Sequence, residues 1–177
     1  TYPFVSQAAR HFLVPIYPEY HTDLFPDSIL NNEDPLDFVD PQPHRNAVSK
    51  VYLSRSYFRA LRSGDVIVFY RTGGYYKSVV TTIGIVENVH TSFEGEDDFI
   101  QRCRRRSVFD DDGLREHWRH SESRRPFVVE FCHVYSLPKR PNMRALIDAG
   151  VIADVDSAPR GFTRITHEQF DTIIGLS

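Results

Sequence analysis

Five consecutive apolar residues, Val66-Ile67-Val68-Phe69-Tyr70, constrain this chain more than any other feature. The run is β-branched and aromatic, and it is bounded by Gly64-Asp65 and Gly73-Gly74. It predicts a buried strand entered and left by tight turns. Residues 75–89 are again rich in Val, Thr and Ile, so a second, longer strand follows, bent or broken near Gly84. Such a hairpin needs other elements to cover it. Residues 49–53 read as a short strand, and Ser54 as the cap of a helix over 55–62. Helices are predicted over 97–105, with Phe99, Ile100 and Cys103 on one face, and over 110–120, with Leu114 and Trp118 four apart. Strand returns over 127–135, and a helix over 142–149 closes on Gly150. Thr166 and Gln169 have capping-box spacing and open a last helix over 167–174. This order predicts an α+β fold: a compact, partly closed mixed β-barrel with short peripheral helices.

Residues 1–44 differ. Pro3, Pro15, Pro18, Pro26, Pro35, Pro41 and Pro43 punctuate them too often for a long helix or a central strand. Tyr2, Phe4, Phe12, Tyr17, Tyr20, Phe25 and Phe38 are interleaved. The mixture predicts an extended arm wrapping a body of residues 45–177, which carries a helical insertion at about 93–125. A start at Thr1 rather than Met is expected of a piece cut from something larger.

Several classes are excluded. A composition of 41% hydrophobic and 25% charged residues does not belong to a wholly disordered chain. The longest apolar runs are strand-sized, far short of the ~20 residues of a membrane helix. Two cysteines, Cys103 and Cys132, do not make a disulfide scaffold, and Thr1-Tyr2-Pro3-Phe4 is not a signal peptide, so a cytoplasmic protein is expected.

The chemistry-bearing motifs are sparse. Neither CxxC nor HExxH spacing occurs, and His117 and His120, three apart, read as surface histidines; no metal and no cofactor is expected. Gly73-Gly74 is a hairpin turn, not a phosphate loop, and no GxSxG elbow exists. Thr72, Lys77 and Glu87 are the one set that offers a hydroxyl, a base and an orienter; the alternative is strand residues scattered towards water.

Charge and aromatic patterning say more. The net charge of −3 gives no global pull towards nucleic acid. Locally, Tyr52, Tyr57, Phe69, Tyr70, Tyr75 and Tyr76 crowd around Arg55, Arg59 and Arg71. That suits base stacking with phosphate neutralisation, or equally a tyrosine-rich sheet face with its hydroxyls in water. Arg102, Arg104, Arg105 and Arg106 form a dense cluster. It reads as a phosphate-contacting surface, or as a solvated helix face paired with Glu94, Glu96, Asp97, Asp98 and Asp110 to Asp112.

Ordered blocks in the chain resemble a known family. Tyr52-Leu-Ser-Arg55, Phe58-Arg-Ala-Leu61, Gly64-Asp65 and Val68-Phe-Tyr-Arg-Thr72 are similar to the signature of EVE-type domains. Those domains belong to the PUA-like superfamily with YTH and ASCH domains. Gly84 to Val89, Phe127 to Tyr135 with Leu137-Pro138, and Gly161 to Thr166 resemble later family segments. Arg71-Thr72 stands where the family has His-Ser, and Leu53 where it often has Gln. The likeness covers roughly residues 45–174, and a closer one is to bacterial PUA-like domains C-terminal to acetyltransferase domains.

The resemblance implies a non-catalytic domain that binds DNA or RNA and recognises a modified or flipped-out base in an aromatic pocket. Tyr52, Tyr70 and Trp118 would then stack, and Ser54, Arg71 and Thr72 would read the base edge. Arg55, Arg59, Arg102, Arg104, Arg105 and Arg106 would hold phosphates. Two alternatives accompany it: an ASCH-like amidohydrolase acting on a modified nucleoside through Thr72, Lys77 and Glu87, and a docking module of a larger acetyltransferase-like protein.

Overall fold

The computed structural model describes residues 9–28, 47–74 and 77–177. Its elements are β1 (His11–Ile16), α1 (Pro18–Leu24), a 3-10 turn (Pro26–Ser28), β2 (Ser49–Ser54), β3 (Val66–Arg71), β4 (Val79–His90), α2 (Glu96–Cys103), α3 (Asp111–Arg119), β5 (Phe127–Ser136), α4 (Met143–Asp148), β6 (Thr163–Ile165) and α5 (His167–Leu176). Six strands form one mixed sheet in the order β2-β5-β4-β3-β1-β6. Only β1 and β3 run parallel; the other pairs are antiparallel. The sheet curls into a half-barrel, as expected of the α+β, partly closed architecture.

Alternation along the strands builds two surfaces. Phe12, Val14, Ile67, Phe69, Val129 and Phe131 point into the barrel, where Leu24, Phe25 and Phe162 cap them. Leu13, Val66, Val68 and Tyr70 point out and are covered by Leu146 of α4 and by Phe170 and Ile173 of α5. At the other end of the sheet, Val51 and Val128 are covered by Phe99, Ile100 and Leu114 of α2 and α3. The segment read as an insertion therefore roofs β2 and β5.

The predicted β3–β4 hairpin is present; its own ladder shifts register between Phe69 and Tyr70, and the β4–β5 ladder shifts between Ile83 and Gly84. A Cβ on Gly84 would lie 2.6 Å from Phe131 Cδ2, on a ring with no exposure. That ring is locked against Phe69 at 5.0 Å and Phe25 at 6.1 Å. Gly84→Ala is therefore expected to destabilise the fold by about 1–3 kcal/mol through overpacking. Urea denaturation measures it, and an unchanged midpoint would refute this packing account.

Two expectations need correction. The helix predicted over 55–62 does not form. Ser54 Oγ accepts the Ser56 N–H at 3.1 Å, and Ser56 Oγ accepts the Phe58 N–H at 3.2 Å. These local bonds compete with helical ones. The segment is pinned instead by Arg55 donating to the His117 carbonyl and Arg59 to the Arg125 carbonyl. Residues 11–16, read as part of the arm, are a strand inside the sheet. Pro15 fits there because its main chain faces away from β3, on the side where β6 has already ended, so no ladder bond is lost. The arm continues into α1 and the 3-10 turn; its residues 1–8 and 29–44 lie outside the described residues.

Candidate nucleic-acid interface

The half-barrel leaves a seam between its end strand β2 and the exit of β1. Tyr52 bridges it: its hydroxyl donates to the Pro15 carbonyl at 2.7 Å. Its ring meets Phe69 and Phe162 edge-on at 5.8 Å each, and burial pushes its phenol pKa upward. Above this floor opens a groove of about 730 Å³. Tyr20 and Phe109, 4.8 Å apart and edge-to-face, form one wall, with His117 at 4.2 Å from Phe109. Burial, then the neighbouring Arg55, lowers the His117 pKa. Tyr17 and Tyr57 stand at the mouth, 66% and 86% exposed. The Arg124 guanidinium lies 3.7 Å over the Tyr57 ring, an exposed cation–π platform.

The charge of the lining is one-sided. Arg55, Arg124 and Arg160 line the groove, and no Asp or Glu does among the described residues. Arg55 gives Nη2 to the His117 carbonyl at 2.8 Å, while its Nε is buried without a partner. Rings for stacking beside cations for phosphate are therefore assembled in one place.

Of the residues given a base- or phosphate-binding role from the sequence, four meet here: Tyr52, Ser54, Arg55 and Thr72. The others lie elsewhere. Tyr70 is 1% exposed and packs on the outer face with Val80 and Leu137, because it alternates with Phe69. Arg71 is half-buried at the end of β3 beside the charge-sensitive His21. Trp118 packs on Phe93 and Phe99, with the Arg125 guanidinium 4.5 Å over its ring. Arg59 lies over Phe127 at 5.1 Å. Tyr75 and Tyr76 fall outside the described residues.

The arginine cluster is internally paired. Arg102 binds Asp98 at 2.9 Å, Arg104 pairs with Asp111, and Arg106 binds Glu130 at 2.9 Å. Arg115 pairs with Asp112 and Arg119 with Glu96. This is the solvated, salt-bridged helix face; Arg105 is exposed and takes a left-handed conformation at φ 67°.

Thr72, Lys77 and Glu87 do not converge, which corrects the catalytic alternative. Thr72 donates to the Ile16 carbonyl at the exit of β3, and Lys77 is exposed in the following turn. Glu87 accepts from Ser49 at the far end of the hairpin, where Val86 meets Asp65. The length of β3 separates Thr72 from Glu87, about 20 Å at strand rise.

Sequence reasoning missed Phe109, His117, Arg124 and Arg160 as groove residues, and named Tyr17, Tyr20 and Tyr57 only as members of longer groups. Their one common signal is an aromatic or basic side chain in a loop or at a helix end, and no spacing links them.

No family model matches the sequence, and no curated protein matches it either. Solved structures do. ASCH from Zymomonas mobilis superposes with a TM-score of 0.62 at 13% identity, over 94% of this chain and 94% of that one. A hypothetical protein from Leishmania major gives 0.56 at 10% identity, over 96% and 95%. Human THYN1 protein, solved in complex with 5-methylcytosine containing DNA, gives 0.50 at 12% identity, over 95% and 97%. The fold is thus PUA-like, shared with ASCH and THYN1, as the sequence resemblance implied.

Proposed function

We propose that the seam groove binds nucleic acid and holds a modified or flipped-out base between its aromatic walls. The observation that carries this reading is the lining itself: Tyr17, Tyr20, Tyr52, Tyr57 and Phe109 together with three arginines and no carboxylate. A base extruded from its stack needs a flat apolar partner, and its flanking phosphates need cations. Tyr20 and Phe109 supply the first, and Arg124 and Arg160 at the mouth the second. The DNA bound by THYN1, a protein of the same fold, supports the ligand class.

Arg124 and Arg160 sit at the rim, so removing both leaves the core untouched. Fluorescence anisotropy with single- and double-stranded DNA and RNA, with and without modified bases, measures the effect. The Arg124→Ala/Arg160→Ala variant is expected to bind at least tenfold more weakly. Its salt dependence is expected to flatten by about 1.4–1.8 in slope, as for two lost phosphate contacts. Affinity and salt slope equal to wild type would overturn the reading.

A further inference from the structure

Three side-chain hydroxyls of the groove are already engaged. Tyr52 gives its proton to Pro15, Thr72 Oγ1 donates to the Ile16 carbonyl at 3.3 Å, and Ser54 Oγ accepts from Ser56. The groove keeps a different polar edge, made of main chain.

Among the described residues, strand β2 ends the sheet and pairs only with β5. In an extended chain the N–H and C=O of one residue point to the same side, and the side alternates with each residue. Two bonds establish the phase. The Val48 carbonyl accepts from His133 on β5, whereas the Val51 N–H turns the other way and donates to the Arg106 carbonyl at 3.0 Å. Even-numbered residues therefore face β5 and odd-numbered ones the open edge. Leu53, two residues after Val51, turns both of its main-chain groups outward, and it lines the groove. Among the described residues no main-chain group outside β5 bonds to them. The Leu53 side chain lies on the other surface, against the cluster of α2 and α3.

We propose that the Leu53 N–H and C=O read the Watson–Crick edge of a nucleobase held in this groove, so that the site takes unpaired bases and rejects paired ones. The inference rests on the nucleic-acid reading above. Each base carries a hydrogen-bond donor beside an acceptor on that edge, and an extended residue presents the complementary acceptor and donor side by side. In a duplex the same edge is consumed by the opposite strand.

Leu53→Pro tests this directly. Proline removes the outward N–H but no ladder bond, and an end strand tolerates it there. The residue before it, Tyr52, is already extended, as proline requires. The probe is a labelled nine-nucleotide single strand of mixed sequence, alone and as its duplex, with the full chain as protein. Wild type is expected to prefer the single strand at least tenfold. L53P is expected to keep its melting temperature within a few degrees and to lose about tenfold in affinity, the loss of one hydrogen bond to a desolvated partner. In wild type, the Leu53 amide resonance is expected to move downfield on binding, a readout that stands if L53P fails to fold. Wild-type affinity in folded L53P, or an unmoved Leu53 amide while Phe109 and His117 signals shift, would overturn the main-chain reading and leave the groove standing. No binding of either probe, or wild-type binding by the R124A/R160A variant, would remove the groove reading and this inference with it.

Discussion

A chain lacking residues 1–16 is expected to show no cooperative unfolding transition. Strand β1 lies between β3 and β6, and Phe12, Leu13 and Val14 have no exposed surface, with Ile16 at 4%. Each such side chain contributes about 1.5–3 kcal/mol on burial, so the four together rival a whole domain's stability of about 5–15 kcal/mol. The loss does not stop at the strand. Arg10 clamps the buried Asp65 with Nε at 2.9 Å and Nη2 at 2.5 Å, and the Arg10 carbonyl accepts the Val66 N–H. Deletion leaves Asp65 buried without its cation, β3 with a bare edge, and β6 with nothing to pair. Thermal melts followed by near-UV circular dichroism measure the outcome. A truncated chain that melts sharply near the wild-type temperature would show that β1 is dispensable, as a removable arm would be.

This element also marks where legibility ends. The β3–β4 hairpin could be read because its information is local: a continuous apolar run, a glycine turn and a β-branched return. The capping box of α5 is equally local, and Thr166 and Gln169 make both of its bonds. Strand β1 carries two signals that conflict. His11-Phe-Leu-Val is strand-like, but Pro15 and Pro18 argue against a central strand. The conflict is resolved only by knowing that β6 ends before Pro15, a fact of pairing between segments about 150 residues apart.

The candidate site divides in the same way. Tyr52, Ser54 and Arg55 sit on one strand and its exit, so a single motif finds them together. Tyr70 belongs to the same family-like signature yet faces the outer core, because a one-residue step in a strand reverses the face. Tyr20, Phe109 with His117, and Arg160 come from three separate segments. Only the curl of the sheet brings those segments to one seam. The arginine cluster misled for an electrostatic reason: its charge is real in sequence but is met by Asp98, Asp111 and Glu130 in space.

Stability is expected to fall steeply as the pH drops below 6.5, and His21 is expected to be the main cause. Its side chain has no exposed surface. Nε2 lies 2.9 Å from Thr81 Oγ1, and Nδ1 is buried with no partner to receive a second proton. Burial first, then the positive charges of Arg71 and Arg140, lower its pKa from 6.5 to about 3. Above pH 6.5 the imidazole is neutral in both the folded and the unfolded chain, and the full stability is present. Below it, the unfolded chain takes up a proton that the folded chain refuses. The loss is about 1.4 kcal/mol per pH unit and continues until the folded pKa is reached. Between pH 6.5 and 4.5 His21 alone removes roughly 2–3 kcal/mol. His11 and His117, also lowered by burial, act in the same direction. Urea midpoints of wild type and His21→Gln at pH 7 and pH 4.5 separate the contributions. Glutamine can still reach Thr81 but does not titrate, so H21Q is expected to be weaker at pH 7 and markedly less sensitive to acid. An acid loss in H21Q as large as in wild type would place the titrating group elsewhere and remove His21 from the account.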